Sequence, residues 1–331
     1  MSPSPTPRRA ELAGTQEYPL APVDTARPPW PGDYVTVAGQ DIFVRETPST
    51  AADSAPALYV HGLGGASTNF TDLADLLSPY FAGQALDLPG FGRSGAAGPS
   101  GYSIAAHADL VAAFIERGGR GPVHLVGNSM GGAISLHVAA LRPDLVRTLT
   151  LISPAVPDLR VHKPADLVLP SLLLPGVGRR ALRRMDLRSP RSRALAVIEL
   201  CFAHPERVPD NRVEEAAQDV LARGELGWAH DALLSSLRGI AAMYLRPGRN
   251  SAWQLMRRIK APTLVVWGQH DRLVHVSNAA KVAAAIPDAT LLVLPDAGHV
   301  AQLEDPATTA RAILALVGRA NDRRNRAGVG A

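Results

Sequence analysis

Short apolar runs alternate with stretches of helical spacing along most of this chain, and that rhythm restricts the fold more than any single residue does. "ALYV" at 57–60 is strand-like, "TNFTDLADLLSPY" is amphipathic, "GQALDLP" is strand-like again, and "SIAAHADLVAAFIERG" carries apolar residues at helical spacing. The pattern continues through "PVHLVG", "MGGAISLHVAALRP" and "VRTLTLISP", and it returns at "APTLVVWG", "SNAAKVAAAIP", "ATLLVLP" and "TTARAILALVGRA". Apolar strands separated by helices pack as a mostly parallel sheet with helices on both faces, an α/β fold. Ahead of them, "DYVTVAGQDIFVRET" reads as a hairpin of two alternating strands.

The rhythm fails between Ala155 and Asn250, where β-branched runs are few and pieces such as "ALAVIELCFA" and "RVEEAAQDVLARG" look helical. This segment reads as an inserted helical cap. The expected organisation is therefore a Pro-rich extension over 1–32, a core built from 33–154 and 251–320, a cap over 155–250, and a basic, disordered tail over 321–331.

Composition excludes several functions. No apolar run approaches the ~20 residues that span a bilayer, and the first thirty residues lack the apolar stretch of a secretory signal. A cytoplasmic location is the expectation. Cys201 is the only cysteine, which rules out an intramolecular disulfide and a Cys-based zinc site. The net charge of +4 comes almost wholly from Arg, with Lys only at 163, 260 and 281, and no basic stripe interleaved with aromatics marks a nucleic-acid partner. The ten histidines are scattered without metal-binding helical spacing, and neither a dinucleotide fingerprint nor a phosphate loop is present. Neither a metal nor an organic cofactor is expected.

The chemistry concentrates in "LVGNSMGG". Gly127-Asn128-Ser129-Met130-Gly131 fits a G-x-S-x-G turn between a strand and a helix, where glycines on either side remove Cβ clashes around a strained serine. The plainer alternative is a helix N-cap serine beside packing glycines. Two distant residues weigh against it. Asp271 follows the strand "TLVVWG", and His299 follows "ATLLVLP", so nucleophile, acid and base stand in the order of a serine triad at three strand ends. His270, His275, Asp87, Asp296 and Asp158 are rivals, with Asp158 the best alternative acid. An oxyanion needs two donors. The backbone amides of Met130 and of Leu63, in the loop His61-Gly62-Leu63-Gly64-Gly65, are the candidates.

"HGLGG", "DLPGFGRSG", "GNSMGG", "GQHDRLV" and "GHVAQLEDP", in this order, resemble the α/β-hydrolase superfamily over about residues 33 to 320. The resemblance implies an eight-stranded, mostly parallel sheet, an active site under the cap, and the triad Ser129, Asp271 and His299. A serine at the elbow sets the chain apart from epoxide hydrolases and haloalkane dehalogenases, which carry Asp there. Asn128 is similar to the elbow of meta-cleavage-product hydrolases, which cut carbon–carbon bonds. Those enzymes usually have a longer loop after the first His-Gly and a Trp after the catalytic His, whereas this chain has "HGLGGAS" and Val300. Ester hydrolysis of a small hydrophobic substrate through an acyl-enzyme is therefore the leading expectation. Carbon–carbon hydrolysis, cofactor-free perhydrolysis and a non-catalytic ligand-binding protein are the alternatives.

Within the cap, a Leu- and Pro-rich run precedes seven Arg between 179 and 193, against the single acid Asp186. One reading is an apolar lid over an acyl chain, with a basic rim that favours acidic substrates or weak contact with anionic lipid surfaces. The other, preferred from sequence alone, is a cap helix packing its Leu face inward with its Arg solvated.

Overall fold

The structure, a computed structural model, describes residues 11–12, 18–49, 54–98, 101–158, 171–174 and 176–328. Its strands are β1 (Glu11–Leu12), β2 (Gly32–Val37), β3 (Gln40–Thr47), β4 (Ala55–Val60), β5 (Phe81–Leu86), β6 (Val123–Asn128), β7 (Val146–Ile152), β8 (Thr263–Gly268) and β9 (Ala289–Leu294). They form one sheet in the order β1-β9-β8-β7-β6-β4-β5-β3-β2. Only the β2–β3 and β3–β5 pairs are antiparallel. The expected eight strands are β2 to β9. The two-residue β1, in the Pro-rich extension, pairs in parallel with β9.

The helices among the described residues are α1 (Thr71–Leu77), α2 (Ile104–Gly118), α3 (Met130–Leu141), α4 (Val177–Asp186), α5 (Pro190–Cys201), α6 (Asp210–Gly224), α7 (Ala229–Tyr244), α8 (Ala252–Met256), α9 (Ala279–Ala285), α10 (Ala301–Glu304) and α11 (Pro306–Gly328). None is long and apolar enough to cross a membrane.

Both faces of the sheet are covered because successive strand residues point to opposite sides. On β4, Leu58 and Val60 join one buried cluster while Ala57 and Tyr59 join the other. On β8, Val265 and Trp267 lie on the first side, Leu264 and Val266 on the second. Trp267 is fully buried, and its Nε1–H donates to the Val274 carbonyl at 3.0 Å. The largest core side chain thus anchors the loop that carries Asp271.

Helices α4 to α7 lie between β7 and β8, inside the segment where the strand rhythm fails. The Leu- and Pro-rich stretch 159–170 lies outside the described residues. The insertion is fastened to the core through α6, whose Arg212 pairs with the buried Asp72 of α1 and whose Asp219 accepts the Thr68 hydroxyl at 2.8 Å. Part of the extension joins this seam, because Arg27 pairs with Asp75 at 3.0 Å and its carbonyl accepts from Arg212 at 3.0 Å. The C-terminus corrects one expectation. Residues 321–328 continue α11 rather than forming a disordered tail, and Arg323 ties this turn to Asp288. Composition suggested a loose end; the preceding apolar face of α11 and that ion pair carry the helix on.

Candidate active site

Ser129 stands at the junction of β6 and α3 with φ 53° and ψ −116°. That backbone costs a non-glycine residue about 1–3 kcal/mol and persists only where surroundings enforce it. Here the Ser129 N–H donates to Ile152 O at 3.0 Å, and its carbonyl accepts from Ala133 at 3.0 Å and Ala155 at 2.9 Å. Its side chain does not cap α3, so the helix-cap alternative fails. The flanking glycines are set by space. A Cβ on Gly131 would lie 2.1 Å from Val60 O, and one on Gly127 would lie 2.4 Å from Gly131 O.

Asp271 and His299 come together from loops after β8 and β9. The His299 Nδ1 lies 2.9 Å from Asp271 Oδ2, with side-chain exposures of 4% and 0%. The other oxygen, Asp271 Oδ1, accepts the Leu273 and Val274 amides at 2.8 and 2.9 Å. An ionised Asp271 with this geometry fixes the proton on Nδ1 and leaves Nε2 as the basic nitrogen of His299.

The rivals stand elsewhere. Asp158 accepts from the Asn278 side chain at 2.8 Å, Asp296 and His270 are exposed, and His275 accepts the Ser277 amide at 3.2 Å. Asp87 clamps a loop, accepting the Ser67 amide at 2.6 Å and the Arg93 amide at 2.8 Å. A polar recess of about 370 Å³ lies on the outer side of Asp271, lined in part by His204, His270, Arg272 and His275. Among the described residues no three His, Cys, Asp or Glu side chains are grouped to hold a metal ion.

The loop after β4 abuts the serine, since a Cβ on Gly62 would lie 3.1 Å from Ser129 Cβ. His61 holds this loop. Its Nε2 accepts the Leu88 amide at 2.9 Å, so the proton must sit on Nδ1, which donates to Gly62 O at 2.8 Å. Burial pushes the His61 pKa below the ordinary value, partly offset by Asp87, which keeps the ring in this neutral tautomer. Neither the Leu63 amide nor the Met130 amide donates to another group among the described residues. Met130 opens α3, so its N–H is one of the unsatisfied donors at the positive end of a helix.

Three supports of His299 have no mark in the sequence. Asn128 donates through Nδ2 to both Ile152 O and His299 O, each at 3.1 Å. The His299 amide donates to Cys201 O at 2.7 Å, at the end of α5. Glu304 accepts from Gly298 N at 2.7 Å and from Ala203 N at 2.6 Å, which joins the His299 loop to the insertion. Glu304 is within "GHVAQLEDP", but nothing local announces its bonds. Asn128 was visible as an oddity, and only its partners explain it.

Comparison with known proteins agrees with this architecture. A profile described as the alpha/beta hydrolase family matches residues 57–312. The dihydrolipoyllysine-residue acetyltransferase component of an acetoin cleaving system from Cupriavidus necator is 31% identical over 250 residues, which cover 75% of this chain and 59% of that protein. This chain therefore spans less than two thirds of that relative. The 2-hydroxy-6-oxo-6-(2'-aminophenyl)hexa-2,4-dienoic acid hydrolase of Metapseudomonas resinovorans is 27% identical, with 82% of this chain and 87% of that protein covered. Among solved structures, a thermophilic esterase from Thermogutta terrifontis superposes with a TM-score of 0.67 at 24% identity, covering 88% of this chain and 99% of that one.

Proposed function

Because this chain belongs to the alpha/beta hydrolase family, we propose that it is a serine hydrolase that cleaves carboxylic esters through an acyl-enzyme. The observation that supports the proposal is a strained, non-capping Ser129 whose neighbour Asn128 is bonded to the backbone of His299, itself half of a buried His299–Asp271 couple with a fixed tautomer. In the first step His299 Nε2 takes the hydroxyl proton as Ser129 Oγ attacks the ester carbonyl. The amides of Leu63 and Met130 hold the oxyanion, and each such donor contributes about 3 kcal/mol to the barrier reduction. The imidazolium then protonates the departing alcohol, and Asp271 stabilises its charge. Water, deprotonated by His299, releases the acid and restores Ser129. Helices α4 to α7 act in this reading as the cap, and the apolar substrate sits between them and the carboxyl ends of the strands.

Carbon–carbon hydrolysis is the second reading, favoured by Asn128 and by the M. resinovorans relative. A p-nitrophenyl ester series from acetate to palmitate, run beside Ser129→Ala, separates the two. The ester reading expects turnover that vanishes with Ser129→Ala and labelling of Ser129 by a fluorophosphonate. Labelling without turnover on any ester would favour carbon–carbon cleavage, and absence of labelling in the folded protein would remove both.

A further inference from the structure

The apolar surface of this protein is unevenly distributed. Of the eleven large apolar side chains exposed among the described residues, all but Tyr34 and Leu141 lie between Leu174 and Leu245. Three of them, Leu174, Val177 and Leu187, lie on or beside α4, a helix with two distinct sides. Leu182 and Gly178 are buried, and Met185 is partly buried beside them. At 100° per residue the opposite side presents Val177, Arg180, Arg183, Arg184, Leu187 and Arg188. All six are exposed. Leu187 reaches 87% and Leu174, just ahead of the helix, 57%.

The charges sort by side as well. On the flanks, Arg179 pairs with Asp231 at 2.7 Å and Asp186 with Arg193 and His230 at 3.0 Å, which fastens α4 to α7 and α5. The outward arginines have no ion-pair partner among the described residues. Exposed Leu174, Val177 and Leu187 beside four guanidinium groups with no ion-pair partner among the described residues make a surface left without its complement there. A second copy of this chain across a two-fold axis would set one arginine stripe against the other, which repels. A partner that offers both a dense negative charge and an apolar interior fits instead.

We propose that the outward face of α4 docks on anionic lipid bilayers, with Arg180, Arg183, Arg184 and Arg188 on lipid phosphates and with Leu174, Val177 and Leu187 dipping among the acyl chains. The contact is peripheral, through a helix lying along the surface. Helix α4 packs on α7, and α7 in turn meets the loop after β4, where Leu233 lies 3.5 Å from a Cβ built on Gly64. Docking therefore sets α4 and then α7 between the bilayer and the loop after β4. It does not depend on which bond the site cleaves.

The test is co-sedimentation of the full chain with vesicles of phosphatidylcholine alone or mixed equally with phosphatidylglycerol, at low and high salt. Binding to the mixed vesicles, lost at high salt and weak on phosphatidylcholine, is the expected result. Each Arg near an anionic surface contributes roughly fivefold to partitioning, so the triple variant Arg180→Gln, Arg183→Gln, Arg184→Gln should bind about a hundredfold more weakly. Its circular dichroism should match wild type, which shows that the loss is not unfolding. Ser129→Ala should bind like wild type, keeping this test separate from that of the reaction. Failure of the wild type to sediment with mixed vesicles at low salt, or undiminished binding by the triple variant, would overturn the proposal. So would a dimer in sedimentation velocity that is abolished by Leu187→Asp in a chain that ignores vesicles.

Discussion

Asn128→Ala removes one side-chain amide and with it two hydrogen bonds on which the site geometry rests. The two acceptors fare differently. Ile152 O keeps the Ser129 N–H at 3.0 Å, whereas His299 O loses its only donor among the described residues. A stranded buried carbonyl costs about 1–3 kcal/mol and the lost bond at Ile152 about 1 more, so the variant should be about 2–4 kcal/mol less stable. The catalytic loss follows from position. His299 would remain tied by Cys201 and Asp271, but its backbone would no longer be fixed to the strand that presents Ser129. A displacement near 1 Å at a reacting pair costs on the order of 10²-fold, which should appear in kcat rather than KM. Asn128→Asp is the sharper control because it leaves no cavity and turns an oxygen toward two carbonyls. The introduced carboxyl is held protonated in the fold, so its pKa lies above the unfolded value of about 3.9. The unfolded state then binds fewer protons, and stability relative to wild type falls as pH rises from about 4 to the folded pKa, then levels off. Urea unfolding from acid to neutral pH, with kcat and KM for one soluble ester, measures both effects. If Asn128→Ala unfolds within about 0.5 kcal/mol of wild type and keeps its kcat, the anchoring argument is wrong.

Asp271→Asn keeps an oxygen for the Leu273 and Val274 amides but cannot accept the His299 Nδ1 proton. It should lower kcat on the order of 10⁴-fold with little change in thermal midpoint, while Asp271→Ala should lose both. Gly131→Ala puts a methyl 2.1 Å from Val60 O and should cost roughly 3 kcal/mol in urea unfolding; wild-type stability would refute the close-packing account of the elbow. His107 is buried with no partner for either ring nitrogen among the described residues, and burial lowers its pKa to about 4. The unfolded state thus binds the extra proton, and stability is lost at about 1.4 kcal/mol per pH unit as pH falls from 6.5 toward 4. His107→Phe keeps the edge contact with Tyr102 and should flatten that acid limb, so equal slopes between pH 7 and 5 in both proteins would contradict the assignment.

The parts of this fold that were readable from sequence are those whose cause is local. The doubly apolar strands announce a parallel sheet because both faces of each must be covered, and Ser129, Asp271 and His299 stood out in the sequence because each follows such a strand. The close packing at Gly127 and Gly131 around Ser129 was readable for the same reason. Features that depend on distant partners were not. In the helix through 321–328 Arg323 meets Asp288, 35 positions away, and β1 pairs with β9. The supports of His299 bridge still longer separations, from Asn128 across 171 positions and from Glu304 to Ala203 across 101. A single sequence carries no trace of such pairings.

Asn128 shows what this difference does to a functional inference. Met-Gly-Gly after Asn-Ser resembles the elbow of carbon–carbon hydrolases, and on sequence alone the asparagine counted toward that bond. Its amide nitrogen has two hydrogens, and both are directed to main-chain carbonyls, Ile152 O and His299 O. No donor is left on that nitrogen for a substrate. In the proposed mechanism the same tie would hold His299 to the strand that carries Ser129 whether the bond to be broken is C–O or C–C, so Asn128 would bear on the rate of either reaction and discriminate between neither. Discrimination has to come from groups that meet the substrate on the side away from the elbow. In the proposed mechanism those would lie on α4 to α7 and in the loop after β4, "HGLGGAS". Exchanging residues there should move substrate preference, whereas exchanging Asn128 should lower all rates together.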